Sequence, residues 1–141
     1  MLKNVHPLLT GSLLSLLDRM GHGDVLGLVD RNFPAYRYGA PVIDFRGVDT
    51  AVAAEALLSV FPVDSFVEEA IHRMEIDGAP EQVTAATEAL QKAADAAEGR
   101  SVRIASVERF AFYEQARPVS AFVQTGETIP YSCYLLRKGV V

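Results

Sequence analysis

The sequence predicts an α/β fold: a single domain, 1–141, in three layers, with a mostly parallel sheet between flanking helices. Three observations predict it. Short apolar runs of strand length alternate along the chain with alanine- and leucine-rich stretches of helical period. The 141 residues suit one compact domain, and no linker or internal repeat divides them. Half of the residues are hydrophobic, and a mean hydropathy of +0.16 is too high for a disordered chain.

The N-terminal part of the chain predicts a helix followed by a buried strand. Leucines recur with helical spacing over residues 13–17, and either Thr10 or Ser12 is a candidate N-cap. Gly21 stands where a left-handed residue would end that helix. The apolar run over 24–29 then predicts the first strand.

The remaining chain repeats this alternation after a loop over 31–41. Predicted strands cover 42–45, 69–76, 102–107, 119–124 and 133–136. Predicted helices cover 49–60 with Asp49 as cap, 81–98 ending at Gly99, and 108–116. Within the last of these helices, Phe110 and Phe112 are expected to pack into the core.

Composition and charge exclude several classes of protein. The net charge is −5 and the 13 basic residues are scattered, so we expect no nucleic-acid partner. No apolar run approaches the ~18 residues that cross a membrane, and the N-terminal segment lacks the pattern of a signal peptide. The single cysteine, Cys133, cannot form an intramolecular disulfide, which favours a cytoplasmic location. Motifs for zinc and nucleotide binding are missing, so we expect neither a metal nor a cofactor.

The stretch GHGD, residues 21–24, is the clearest candidate for chemistry. His22 stands between two glycines on the predicted connection from helix to strand, so its ring would be open to approach. Histidine is the side chain most easily poised to exchange a proton near neutral pH. On the pattern alone, the commoner explanation is a helix-ending turn whose histidine caps backbone carbonyls.

Asp30 follows the first predicted strand, at the carboxyl end where ligands usually bind in open α/β sheets. On its own, such an aspartate is more often a turn former than a ligand. His22 and Asp30 would lie at opposite ends of a regular strand, roughly 25 Å apart at about 3.3 Å per residue. A site that holds both therefore requires either an irregular path of the chain or two subunits.

Two further clusters carry candidate binding residues. In the segment ERFAFYE, Arg109 and Tyr113 are four positions apart and share a helix face. Tyr131 precedes the last predicted strand, where its hydroxyl could reach a ligand. Taken alone, a surface arginine and an edge-packing tyrosine are the commoner roles. His6 and His72 lack a comparable context, and we interpret them as structural or solvent-facing.

Four stretches, in this order, resemble the ribose pyranase and L-fucose mutarotase family. They are MLKNVHPLLTGSLLSLLDRMGHGD, DRNFPA from Asp30, ERFAFYE, and YSCYLLRKGV. The likeness runs from residue 1 to about residue 140. Its more specific part is MGHGD together with its spacing to D-x-x-F-P-A, and ERFAFYE is similar to the fucose branch rather than the ribose branch.

The resemblance implies a sugar mutarotase, an enzyme that interconverts the anomers of a free monosaccharide. It implies that His22 is the general acid. It places Asp30, Arg109, and the segment of Tyr131, Ser132 and Cys133 around the sugar. It also implies no cofactor, and a ring-shaped homo-oligomer, often a decamer, whose sites are completed at subunit contacts.

One position departs from the family pattern. Cys133 stands where asparagine is usual, and a thiol offers one weak donor in place of two amide donors and an acceptor. The leading hypothesis remains a mutarotase, with L-fucose favoured as the sugar. The alternative is a non-catalytic sugar-binding or transport accessory protein with the same pocket. A purely structural oligomer gives no reason for a glycine on each side of His22.

Overall fold

A computed structural model describes residues 1–141 and shows one six-stranded sheet with helices on both faces. The strands are β1 (Val25–Val29), β2 (Val42–Phe45), β3 (Ile71–Met74), β4 (Ile104–Val107), β5 (Ala121–Thr125) and β6 (Tyr134–Arg137). The helices are α1 (Gly11–Arg19), α2 (Thr50–Leu58), α3 (Ala85–Glu98) and α4 (Arg109–Gln115), with a 3₁₀ helix at Ala35–Tyr38. None of these helices is long and apolar enough to cross a membrane. The predicted α/β fold is confirmed.

The strand order is β2-β5-β1-β6-β3-β4, and all strands except β6 point the same way. β6 runs antiparallel to both of its neighbours, β1 and β3. The sequence predicted a final strand but not this direction. The physical reason is the short connection over 126–133, because a parallel strand needs a crossover of a dozen or more residues.

The sheet separates two apolar cores, which gives the three predicted layers. On one face, α1, α2 and α3 contribute Leu13, Leu57 and Leu90 to the larger core. On the other face, α4 contributes Phe112, and the segment that leads into the 3₁₀ helix contributes Phe33. β1 therefore runs between the two helical layers. The residues just before and just after it lie at opposite edges of the sheet, where the strands begin and end.

Local sequence signals set the helix ends. The side chains of Thr10, Asp49 and Thr84 cap α1, α2 and α3 by accepting backbone N–H groups. Gly99 ends α3 in the left-handed conformation, as predicted. The predicted start of α3 at Glu81 is wrong, because the cap at Thr84 opens the helix at the following residue.

One side of α4 also differs from expectation. Phe112 is fully buried, whereas Phe110, expected in the core as well, is exposed. Positions two apart lie on nearly opposite sides of a helix, so only one of the two rings can face the sheet. The Phe110 ring instead lies against Arg109, whose guanidinium carbon is 4.4 Å from the ring centroid.

Candidate functional site

The two ends of β1 divide the predicted site residues between opposite edges of the sheet. His22 precedes β1 and lines a cavity of about 870 Å³, here called the His22 cavity. Asp30 follows β1 and lines a cavity of about 270 Å³, the Asp30 cavity, together with Arg109, Tyr131 and Cys133. β1 keeps regular pairing with both neighbours along its length, so the chain does not bend to bring the two cavities together.

The turn that carries His22 depends on the glycine that follows it. Gly21 was predicted to be left-handed, but the left-handed residue is Gly23, with φ of +88°. The Gly23 N–H donates to the Lys138 carbonyl at 2.8 Å, which ties the turn to the end of β6. The left-handed conformation favours glycine here, and a Cβ would lie 3.0 Å from the Arg137 guanidinium, so a side chain would also require that group to shift.

A buried aspartate holds the imidazole of His22. His22 Nε2 lies 3.1 Å from Asp64 Oδ2, the oxygen that also accepts from Arg137 Nε at 2.9 Å. The Asp64 side chain is only 1% exposed, and its Oδ1 accepts the Phe66 N–H at 3.0 Å. Burial alone would raise the pKa of Asp64, but the hydrogen bonds from Phe66, Arg137 and His22 outweigh it and lower that pKa below its usual value. Asp64 is therefore an anion that orients His22.

This pairing decides which imidazole nitrogen is left without a hydrogen-bond partner. An ionised carboxylate can only accept, so His22 donates to Asp64 from Nε2, and Nδ1 has no hydrogen-bond partner. The His22 side chain is 40% exposed, and its ring meets Phe66 edge-on at 5.3 Å between centroids. An oriented imidazole with a free, accessible Nδ1 is suited to proton transfer at that atom.

The His22 cavity is large but offers few polar groups. Apart from His22, its polar side chains are Ser15, Asp18 and Lys138. The Lys138 ammonium is already engaged, since it donates to two carbonyls at the C-terminus of α1. A monosaccharide has a hydroxyl on most of its carbons. The polar side chains of this cavity alone are too few to form hydrogen bonds with all of them.

The Asp30 cavity is smaller and has the opposite character. Asp30 Oδ1 accepts two backbone N–H groups of the following turn at 2.9 and 3.0 Å, which leaves Oδ2 without a hydrogen-bond partner. Arg109 reaches the cavity while its Nε donates to Asp77 at 2.8 Å. Tyr131 adopts a left-handed backbone with φ of +63°, an uncommon conformation for a non-glycine residue. An acceptor, a donor fork and a phenol thus surround one small space.

Ser132 is the predicted site residue that the structure keeps away from both cavities. Its side chain is fully buried, and its hydroxyl has no hydrogen-bond partner. Consecutive residues entering β6 face opposite sides of the sheet, so Ser132 faces the core while Cys133 lines the cavity. In this arrangement Ser132 cannot contact a ligand directly.

Cys133 is buried against Asp30 and is not set up as a nucleophile. Burial first, and the charge of Asp30 second, raise the pKa of its thiol well above the usual value. The neutral thiol is a weak hydrogen-bond donor, in keeping with the expected loss relative to asparagine. Nor does Cys133 belong to a metal site, because no group of three or more His, Cys, Asp or Glu side chains converges anywhere in the chain.

The sequence did not single out Asp64, Arg137 or Phe66 as site residues. Asp64 lies 42 positions from His22 and 73 from Arg137, so no local spacing connects them. Their contact depends on β6 lying between β1 and β3, which places Arg137 opposite Val25 in the sheet. The only local signal was an aspartate in a segment that interrupts helix and strand patterns, and such residues are common in loops.

The fold and the two cavities define a class of small α/β protein, with a mixed six-stranded sheet and separate openings at its two edges. Comparison with known families makes the assignment specific. The chain belongs to the RbsD / FucU transport protein family, which matches residues 3–141. The family resemblance predicted from the sequence is therefore confirmed.

Individual relatives match along nearly the whole chain. An L-fucose mutarotase from Glaesserella parasuis is 37% identical over 140 residues, covering 99% of this chain and 96% of the relative. The crystal structure of FucU from Bifidobacterium longum is 34% identical with a TM-score of 0.91, covering 99% of both chains. The fucose mutarotase from Streptococcus pneumoniae, solved in complex with L-fucose, is 29% identical with a TM-score of 0.89 over 99% of both chains.

Proposed function

We propose that this protein is a mutarotase that interconverts the anomers of a free aldose, with L-fucose as its substrate. The observation that carries the proposal is the accessible imidazole of His22, held by a buried carboxylate beside a cavity. The full-length similarity to L-fucose mutarotases supports both the reaction and the sugar. The enzyme is an isomerase, and its chemistry requires no cofactor.

Mutarotation opens a hemiacetal ring and closes it on the other face of the aldehyde. One proton reaches the ring oxygen while the anomeric hydroxyl loses one, and both transfers reverse on closure, so nothing is oxidised. His22 as imidazolium donates from Nδ1 to the ring oxygen, and Asp64 stabilises the charged ring through Nε2. A positioned acid of this kind contributes about 10²–10⁴-fold.

The Asp30 cavity supplies the groups that hold the sugar. Arg109 presents a planar fork of donors suited to two neighbouring hydroxyls. Asp30 Oδ2 either orients the sugar or accepts the anomeric proton. Tyr131 offers a hydroxyl and an aromatic face for the apolar side of the ring, and Cys133 contributes only a weak donor.

These roles require the two cavities to meet, and one subunit keeps them at opposite edges. A second copy resolves this if its Asp30 cavity faces the His22 cavity of the first. Contacts between different edges are heterologous, and they close into rings when the rotation allows. The exposed Val60 and Val140 beside His22 provide apolar surface for such a contact. We therefore expect a ring-shaped homo-oligomer, for which the family resemblance favours a decamer.

A cytoplasmic location belongs to the same proposal. The lone cysteine is buried and unpaired, which suits a reducing compartment. The substrate is a free sugar, and the net charge of −5 does not favour nucleic acid as a partner.

One observation favours the alternative function, a sugar-binding protein without catalytic activity. Cys133 weakens hydrogen bonding in the Asp30 cavity, as expected of a module that binds sugar without turning it over. The curated relatives instead favour the enzyme, since they are L-fucose mutarotases. Binding of L-fucose without any acceleration of anomer exchange would support the binding module.

The direct experiment is saturation-transfer NMR between the α and β anomers of L-fucose. The wild-type protein should accelerate exchange, and His22→Ala should lose roughly 10²–10⁴-fold of that acceleration. The matched control is His72→Ala, because His72 lies outside both cavities and hydrogen-bonds Gln115. Undiminished exchange in His22→Ala, with the fold intact by circular dichroism, would remove His22 from the mechanism.

A further inference from the structure

Phe66 is a large apolar side chain left exposed beside the proposed acid. Its side chain is 70% exposed, although the residue follows closely after the buried Asp64. Its ring stands nearly perpendicular to the His22 imidazole, at 88°, with 5.3 Å between centroids. A single exposed aromatic ring is common on a protein surface, so the contact with His22 is what distinguishes Phe66.

The position of Phe66 is fixed by the group that fixes His22. Asp64 Oδ1 accepts the Phe66 N–H at 3.0 Å, and Asp64 Oδ2 holds His22 Nε2 at 3.1 Å. One buried carboxylate therefore holds both the imidazole and the backbone from which the Phe66 ring projects. The two rings are brought together because both bonds go to the same buried side chain.

Phe66 lies within reach of a sugar that exchanges a proton with His22. Hydrogen bonding to Nδ1 places a sugar oxygen about 3 Å from the imidazole, and the Phe66 ring, with its centroid 5.3 Å from that of the imidazole, stands just outside the His22 cavity. The Phe66 side chain has no polar atom and cannot pair with a hydroxyl. It fits the apolar part of a sugar, which in a 6-deoxy aldose includes the C6 methyl group.

We propose that Phe66 is a specificity-determining residue that contacts the C6 methyl of a 6-deoxy aldose bound at His22. The inference rests on the proposed mutarotase function and deepens it by naming the part of the substrate that the protein selects. A methyl against this ring is favourable, whereas a hydroxymethyl group places a hydroxyl where the side chain offers no partner.

Three sugars with the same ring stereochemistry differ only in the substituent at C5, so they isolate its contribution to recognition. L-fucose carries a methyl at C5, L-galactose a hydroxymethyl group, and D-arabinose only hydrogen. Saturation-transfer NMR gives kcat/KM for each, and the wild type should rank L-fucose first. Phe66→Ala should reduce the ratio of L-fucose to D-arabinose roughly tenfold, mainly through KM for L-fucose. Phe66→Leu should keep most of the ratio, and Phe66→Tyr should raise L-galactose relative to L-fucose.

Tyr36→Ala is the matched control, because Tyr36 is a similarly exposed aromatic whose ring, unlike that of Phe66, does not contact His22. Its sugar ratios should equal those of the wild type. An equal loss for all three sugars in Phe66→Ala would assign Phe66 to the support of His22 and overturn the inference. So would unchanged ratios with an altered oligomer mass, which would assign Phe66 to a subunit contact. Failure of the wild type to accelerate any of the sugars is a different result and rejects the proposed function itself.

Discussion

The His22 cavity and the Asp30 cavity lie at opposite edges of the sheet and differ in size and chemistry. The first is about 870 Å³, largely apolar, and contains a single oriented proton donor. The second is about 270 Å³ and gathers Asp30, Arg109 and Tyr131 around a space suited to hydroxyl groups. The first has the geometry for proton transfer, and the second gathers most of the groups that could pair with hydroxyls. This contrast supports the proposal that one site is shared between two subunits.

The aspartates of the two cavities show how surroundings assign different roles to one residue type. Asp64 is bound by two side chains, His22 and Arg137, as well as by a backbone N–H, and these bonds use both of its oxygens. Asp30 accepts two backbone N–H groups at Oδ1, and the Cys133 thiol lies against its carboxylate. Asp64 therefore positions a side chain, whereas backbone hydrogen bonds engage only one oxygen of Asp30, as its proposed ligand role requires.

Among substitutions that test the different roles of the two cavities, we expect the largest effect on activity at Asp64. Asp64→Asn keeps the shape but removes the charge that stabilises the imidazolium, so kcat should fall about 10- to 100-fold, part of what a positioned acid supplies. KM for L-fucose should change little, because the substitution leaves the side chains of the Asp30 cavity in place and keeps an oxygen that can accept the Phe66 N–H. Steady-state anomer exchange separates kcat from KM. Asp44→Asn, at an exposed ion pair that lines neither cavity, is the control. A change confined to KM would contradict the division of roles.

A smaller effect in the opposite direction is expected at Cys133. Cys133→Asn restores an amide that can pair with a sugar hydroxyl, and one such bond should lower KM for L-fucose by about 2- to 10-fold. The value of kcat should stay the same, since the substitution does not touch His22. Cys133→Ala shows the effect of size alone. Equal KM values for the asparagine and alanine variants would mean that this position makes no hydrogen bond to the sugar.

The smallest effect is on stability in acid. The pKa of Asp64 is lower in the folded protein than in the unfolded chain, so the unfolded state takes up the proton more readily. Stability from Asp64 is therefore present above the unfolded pKa of about 4 and is lost as the pH falls through the lower folded pKa. Urea unfolding between about pH 5 and pH 2.5 should show the advantage of wild type over Asp64→Asn shrinking with acidification. An advantage that grows in acid would contradict this assignment.

Local features of the fold were predictable because local chemistry decides them. Thr10 and Asp49 mark the start of their helices, and Gly99 marks the end of its helix. They do so through hydrogen bonds and backbone conformations that involve only nearby residues. The strand pattern predicted the α/β class for the same reason. The antiparallel β6 was not predicted, since its direction depends on where the chain returns across the sheet.

The candidate site was predicted only in part, and the missing part is nonlocal. His22 and Asp30 stood out through their neighbours in sequence, and their separation along a strand already raised the possibility of two subunits. Asp64 and Arg137 come together only through the order of strands. Ser132 is buried because its side chain faces the core where the chain enters β6. The motif around Tyr131 does not indicate which side chains face the core and which face the cavity.

Complementation between two inactive variants tests most directly whether the two cavities form one site. His22→Ala and Arg109→Ala are co-expressed with different affinity tags, and mixed oligomers are isolated through both tags. Each variant alone should have little activity. In mixed rings, about a quarter of the sites should by chance combine an intact His22 edge with an intact Arg109 edge. Exchange of L-fucose anomers should therefore recover toward a quarter of the wild-type rate. Mixed oligomers with no recovery would contradict a site shared between copies.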